Sequence, residues 1–275
     1  MGGGTSAGAL FNEKGRRVPS KDNRVFDIEP LEYYHVANGE INFASIAENY
    51  KATGYLPHLS LGDFQHRCEA LKLKISLDSN FSGLLNGVHV PFVLPKLNSG
   101  VDIAESIFED KLPYVGKSFT SRYPEAYFKA IMQGGASLKG NLTVSEGSRY
   151  DQFLTAATSG SIMGWYFPQA LQQFDLDSQV AQMRDLPNFE GVCLSGPAEI
   201  FAALIGKPDL LINEHGYSPI LCMSALQHSD DRLTLVVKSY GPHLEVWCLS
   251  QMLTPGVKQV SEQWSGGITF FCPAD

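Results

Sequence analysis

Several features that commonly identify an enzyme are missing from this sequence. It contains no Gly-x-x-x-x-Gly-Lys loop, no Gly-x-Gly-x-x-Gly turn, no His-Glu-x-x-His pair and no Cys-x-x-Cys pair. These motifs hold phosphates, dinucleotides, catalytic zinc and redox or structural metal centres. Their absence disfavours a P-loop ATPase, a dinucleotide-dependent enzyme and a zinc protease. We therefore expect neither a cofactor nor a metal.

Positive charge is scarce and unevenly placed. The chain has 21 Lys and Arg residues against 29 Asp and Glu residues, a formal net charge of −8. Residues 1–25 carry +3, which leaves −11 for the rest of the chain. An acidic body disfavours nucleic acid as its main partner. We predict that the basic residues of the N-terminal segment dock on the acidic body of the same or a neighbouring chain. These residues are Lys14, Arg16, Arg17, Lys21 and Arg24.

The sequence also lacks a disulfide pattern, an apolar leader and a membrane span. Its five cysteines are odd in number and widely spaced, which is typical of free thiols in a reducing compartment, so we expect a cytoplasmic protein. No apolar run follows the first residues. The uncharged stretch Gln152–Phe174 is too polar to span a bilayer, and Pro168 would break a single helix. We predict a buried helix, a loop and a second helix there, and no transmembrane segment.

Composition divides the chain into two parts. Residues 1–24 are rich in Gly, Ser, Lys and Arg and show no periodicity, which predicts a flexible Gly-rich basic arm. Gly2 also satisfies the N-myristoylation pattern, an alternative in which the arm would contact a membrane. Residues 25–275 predict a single globular domain, because a hydrophobic content of 44% supplies an ample core.

Periodicity and capping residues predict helices in the first half of the chain. We expect helices over Phe43–Thr53, from Ser60 through Leu73, over Val101–Phe108 and over Pro124–Met132. Val88–Leu94 is predicted to be a strand at an edge or bulge, since Pro91 lacks an N–H for a ladder bond.

The C-terminal third predicts an antiparallel meander. Pro219–Leu226, Leu233–Val237 and the run from Leu244 to Gln251 are strand-like and are separated by turn residues. Gly267–Phe271 adds a further strand. Helices first and a meander last predict an α+β fold: N-terminal helices, a possible central βα unit and a C-terminal antiparallel β-meander.

Two similar segments lie in the middle of the chain, and any chemistry would be found there. Ser145 and Ser195 each follow a short strand and precede an apolar helix. Each is interpreted first as a helix N-cap and alternatively as part of an anion or oxyanion site. Glu146 and Arg149, one turn apart, form either a solvated ion pair or the polar floor of a pocket.

Histidine, cysteine and aromatic residues of the C-terminal third allow one further site. His228 or His243 with Cys222 or Cys248 could form a catalytic pair, whereas strand cysteines usually point into the core and stay inert. We predict that the aromatic residues of this region belong to the core and do not line a ligand cleft. These residues are Tyr240, Trp247, Trp264 and Phe271.

Two segments resemble an uncharacterised bacterial family abundant in actinobacteria. The first is Gly54-Tyr55-Leu56-Pro57 with the helix from Leu61 to Leu71. The second includes Pro208, Leu211, Asn213, Cys222, Ser224, Asp230, Asp231, Leu233–Val237 and the pair Trp247-Cys248. The family's doubled Trp-Cys-Trp and its Asn-Pro-His sequel are absent here. The resemblance supports the meander and implies no activity.

Together these observations favour a non-enzymatic binding or assembly protein. The basic arm would dock on a second copy of the chain, giving a homo-oligomer, or on another protein subunit. The alternative is a hydrolase or transferase with a site near Ser145, Glu146 and Ser195.

Overall fold

One large β-sheet runs through the protein, and the helices pack around it. The computed structural model describes residues 10–19, 33–37, 39–132, 137–172, 174–213, 216–250, 252–254, 257–258 and 263–273. The sheet contains β1 (Val90–Leu94), β2 (Phe128–Met132), β4 (Ile162–Leu171), β5 (Val192–Leu194), β6 (Ile220–Cys222), β8 (Leu233–Tyr240), β9 (His243–Ser250) and β12 (Trp264–Pro273). Two small sheets pair β3 (Leu142–Val144) with β7 (Leu226–His228) and β10 (Met252–Thr254) with β11 (Val257–Lys258).

The order of the large sheet is β1-β4-β12-β6-β8-β9-β2, with β5 also pairing with β12. The helices are α1 (Phe43–Thr53), α2 (Leu61–Leu77), α3 (Asp110–Arg122), α4 (Tyr150–Ser159), α5 (Leu176–Asp185) and α6 (Pro197–Gly206). A 3₁₀ turn occupies Ser82–Asn86, and a π-helical turn, Ala104–Glu109, leads into α3. This architecture confirms the α+β class. None of the helices in the described ranges is both long and apolar enough to cross a membrane.

Capping residues and turns predicted several elements correctly. The helix α1 has the predicted bounds, and Ser60 caps α2 by accepting the Asp63 amide. The strand β1 lies at one edge of the sheet, where Pro91 is tolerated. In the meander, β8 and β9 pair antiparallel from Tyr240 opposite His243, so the two-residue turn was also predicted correctly.

The prediction of a second helix within Gln152–Phe174 is wrong. Residues Ile162–Leu171 form the strand β4, in which every residue is buried. Pro168 is accommodated because the pairing of β4 with β12 shifts register at that level, between Gly266 and Ile268. A side chain at Gly164 would place its Cβ 2.1 Å from the Phe270 carbonyl oxygen, so only glycine allows this close approach of β12.

The helix predicted over Pro124–Met132 is also wrong. Phe128–Met132 is the edge strand β2, which pairs in parallel with β9. The helical segment predicted over Val101–Phe108 does exist, as the π-helical turn, and it continues through α3. A proline at position 113 lies inside α3, where it cannot donate a backbone hydrogen bond. The two strand–helix successions in the middle are present, but β3 and β5 each pair with an antiparallel neighbour.

The described part of the predicted arm packs against its own chain. Phe11 is 3% exposed and pairs through an isolated bridge with Arg17, whose amide donates to the Ala170 carbonyl at 2.8 Å. Gly15 adopts a φ of 71°, and a Cβ there would lie 2.4 Å from the amide nitrogen of Gly87. Within residues 10–19, one aromatic side chain thus anchors the backbone in the core, and the rest of the predicted flexible arm lies outside the described residues.

The five basic residues of that segment are therefore placed differently from one another. Arg16 and Arg17 are buried, and burial lowers the pKa of the Arg17 guanidinium, which Asp185 partly offsets. Lys14 is exposed. Lys21 and Arg24 lie outside the described residues.

We predict that Phe11→Ala destabilises the protein by about 3 kcal/mol, because truncating a core phenylalanine leaves a cavity. Val18→Ala is the matched control, since Val18 lies in the same segment and is 40% exposed. Urea unfolding monitored by tryptophan fluorescence measures both. Equal midpoints for the two variants would show that the segment does not pack on the domain.

Candidate functional site

A cleft of about 430 Å³ lies between α5 and the turn that joins β7 to β8. The loop after β3 supplies Ser145 and Glu146 to its wall, so two of the three predicted catalytic residues line it. The apolar side chains of Leu176, Val180 and Leu226 also line the cleft. Ser145 and Glu146 thus lie at a concave surface, and their contacts there differ from those predicted.

Ser145 holds the backbone of the cleft together. Its hydroxyl donates to the Ser224 carbonyl at 2.8 Å, and its amide donates to the Ala225 carbonyl at 2.9 Å. The Ser224 hydroxyl in turn donates to the Gln179 side-chain oxygen. The predicted helix cap is wrong, because the N-cap of α4 is Arg149, in a left-handed conformation with φ of 61°. The Ser145 hydroxyl proton is thus committed to a structural bond.

Glu146 and Arg149 do not form the predicted ion pair. The Arg149 guanidinium donates to the carbonyl oxygens of Leu186 and Pro187, at 2.5 and 3.1 Å. Burial lowers the pKa of Arg149. Arg184 donates to the Glu146 backbone carbonyl at 2.9 Å. Both arginines therefore tie α5 and the segment after it to the loop before α4, and the Glu146 carboxylate stays exposed in the cleft wall.

His228 lines the cleft but is not oriented as a general base. Its Nδ1 accepts the Asp230 amide at 2.9 Å, so its proton is on Nε2, which donates to the Ser137 carbonyl at 3.1 Å. No lone pair remains to take a proton from Ser145. Arg232 pairs with the neighbouring Asp230 and holds the pKa of that carboxyl down to about 2, so the two charges offset each other.

The lining of the cleft is acidic. Glu146, Asp177 and Asp231 contribute carboxylates, and Arg184 contributes the opposing charge. The carboxylates lie beside aliphatic walls, which suits a ligand with a positively charged end and an apolar stem. In the described part of the chain no three His, Cys, Asp or Glu side chains converge as a metal site would require.

Ser195, the third predicted catalytic residue, lies away from the cleft and is fully buried. Its hydroxyl is 2.8 Å from the Thr269 hydroxyl, which donates to Glu199 at 3.1 Å. The residue that caps α6 is Gly196, so the predicted serine cap is wrong here too. Pro197 occupies the first turn of α6, where a missing backbone N–H is tolerated.

The role of Glu199, a carboxylate with no exposed surface, was not predicted from the sequence. It accepts the Gly196 amide at 2.7 Å and the Tyr150 hydroxyl at 2.9 Å. Burial raises the pKa of Glu199 to about 7, and these hydrogen bonds limit the rise. The available signal was its position three residues after Gly196, where a glutamate satisfies an N-terminal amide.

The proposed cysteine–histidine pair is not supported. Burial raises the pKa of Cys222 to about 12 and that of Cys248 to about 11, so neither is a thiolate at neutral pH. His243 accepts the Tyr127 amide at 3.1 Å and stacks on the Tyr127 ring. Trp264 and Phe271 are buried, as predicted, and Trp247 is partly buried, but Tyr240 is 67% exposed and is not core.

The chain matches no protein-family model, no curated protein and no solved structure. The resemblance to an uncharacterised bacterial family therefore stays a prediction. The fold and site define an α+β protein with an acidic cleft and a separate, buried carboxylate network.

We predict that Ser145→Ala lowers the free energy of unfolding by about 1–3 kcal/mol, because the Ser224 carbonyl loses its donor. Ser159→Ala is the control: Ser159 is exposed and bonds only within its own helix, so we expect a change within about 0.5 kcal/mol. Chemical denaturation measures both. Indistinguishable curves would mean that the Ser145 hydroxyl has no structural role.

Proposed function

We propose that this protein is a non-enzymatic binding or assembly protein whose acidic cleft receives a lysine or arginine side chain of a protein partner. The observation that carries the proposal is the pairing of three carboxylates with aliphatic walls in one cleft of about 430 Å³. A basic side chain has a long apolar stem and a cationic end, so it matches both parts of this lining.

The state of the serines also favours binding over chemistry. A nucleophilic hydroxyl needs a base within hydrogen-bond reach. The Ser145 hydroxyl donates to a carbonyl, and the Ser195 hydroxyl is buried next to Thr269. The alternative, a hydrolase or transferase acting through Ser145, Glu146 and Ser195, thus has less support than a binding role.

The proposed partner is a second copy of the chain or another protein subunit. Of the basic residues first assigned to docking, Arg16 and Arg17 are buried in their own chain, so the docking residues of a second copy would be Lys14, Lys21 and Arg24. Five free cysteines fit a reducing compartment, and we propose a cytoplasmic location on that basis.

A fluorescein-labelled peptide of residues 12–24, with glutamine at positions 16 and 17, tests the binding proposal, because it presents only the candidate docking residues Lys14, Lys21 and Arg24. We expect saturable binding that weakens with salt. Asp177→Asn and Glu146→Gln should each weaken binding by about twofold to fivefold, which is typical of a partly exposed ion pair. Fluorescence anisotropy measures the dissociation constants.

Two controls make this result decisive. Glu190→Gln removes an exposed carboxylate outside the cleft and should leave the affinity unchanged. A peptide with glutamine also in place of Lys14, Lys21 and Arg24 should not bind. The proposal fails if all the variants bind equally, or if a pooled esterase, phosphatase and amidase screen finds turnover that Ser145→Ala abolishes.

A further inference from the structure

The carboxylate of Glu199 joins three elements of the core. It lies in the first turn of α6, a helix in which every residue is buried. Tyr150 reaches it from α4, and Thr269 reaches it from β12, at 2.9 and 3.1 Å. The Tyr150 hydroxyl also accepts the Ala198 amide at 3.3 Å, so one carboxylate and one phenol satisfy the start of α6.

The titratable groups of the described residues that face Glu199 are neutral at physiological pH. The titratable groups that sense its charge are Tyr150 of α4, Tyr166 of β4 and Cys193 of β5, and burial raises the pKa of each. The Tyr166 hydroxyl is buried and has no hydrogen-bond partner among the residues that the structure describes. Within the described ranges no lysine, arginine or histidine forms a salt bridge with Glu199.

A buried carboxylate without a cation is costly when it is ionised. The ionised form needs its donors to compensate for lost hydration, whereas the protonated form leaves no charge in the core. The protonation state of Glu199 must therefore change with pH. The free energy of the contacts among the elements that it joins changes with it.

We propose that Glu199 is a proton-linked lock: uptake of one proton stabilises the junction of α4, α6 and β12, and its release weakens that junction. The lock does not depend on the cleft or its ligand. It makes the stability of the whole fold sensitive to pH near neutrality.

The pH dependence has a defined sign. The pKa of Glu199 rises from 4.5 to about 7 on folding, so the folded chain holds a proton that the unfolded chain releases. Stability from this group is complete below pH 4.5 and is lost as the pH rises through about 7. The wild-type unfolding equilibrium should therefore shift toward the unfolded state, relative to Glu199→Gln, by on the order of a hundredfold between pH 5 and 8.

Urea unfolding of the full chain at several pH values tests the lock. Glu199→Gln mimics the protonated form, so its stability should lack the loss between pH 5 and 8 that this group causes. Glu190→Gln, at an exposed site, should show the same pH dependence as the wild type. Tyr150→Phe supplies a second test if Glu199→Gln does not fold: loss of this donor should move the pH at which stability falls upward. Parallel curves for wild type and Glu199→Gln, or an unmoved transition in Tyr150→Phe, would overturn the proposal.

Discussion

The structure depends on burying one entire helix, α6, without leaving its polar ends unsatisfied. A helix exposes backbone donors at its start and acceptors at its end, and in the core these must find partners within the protein. At the end of α6, α1 and α3 supply the donors. Asn49 and Tyr50 bond the carbonyls of Gly206 and Ala202, and Ser118 bonds that of Ile205, at 2.7–3.0 Å. At its start, Glu199 accepts the Gly196 amide. The helices α1 and α3 are thus positioned where their side chains can donate to carbonyls near the end of α6.

The same helix also positions the cleft. The Ser195 amide donates to the Gly267 carbonyl, and the Ser195 carbonyl accepts the Ala225 amide, at 2.9 and 3.2 Å. The Ala225 carbonyl then accepts the Ser145 amide. Backbone bonds therefore connect the start of α6 with the floor of the cleft, and the two serines that sequence analysis singled out are structural links in one chain of contacts.

Helix ends that depend on the preferences of nearby residues were predicted correctly from the sequence. Ser60 correctly marked the start of α2, because a serine at this position can accept an amide of the first turn. The elements that were predicted wrongly depend on contacts with residues that are distant in the sequence. Pro168 suggested a break, yet β4 continues through it because its partner strand shifts register there. The burial of Phe11 could not be predicted from its local sequence, because the surface on which it packs is formed by residues far along the chain. The role of Ser195 depended on Thr269, which is distant in sequence.

The central claim, that a buried helix bonded at both ends to neighbouring elements holds the fold together, is tested most directly by native-state hydrogen exchange of the α6 amides. Helices that open only with the whole domain exchange with the free energy of global unfolding, whereas edge elements open locally. The account predicts that the amides of residues 201–206 exchange with the global free energy, and that those of the edge strand β2 exchange at a much lower one. Exchange of the α6 amides by a local opening as easy as that of β2 would contradict it.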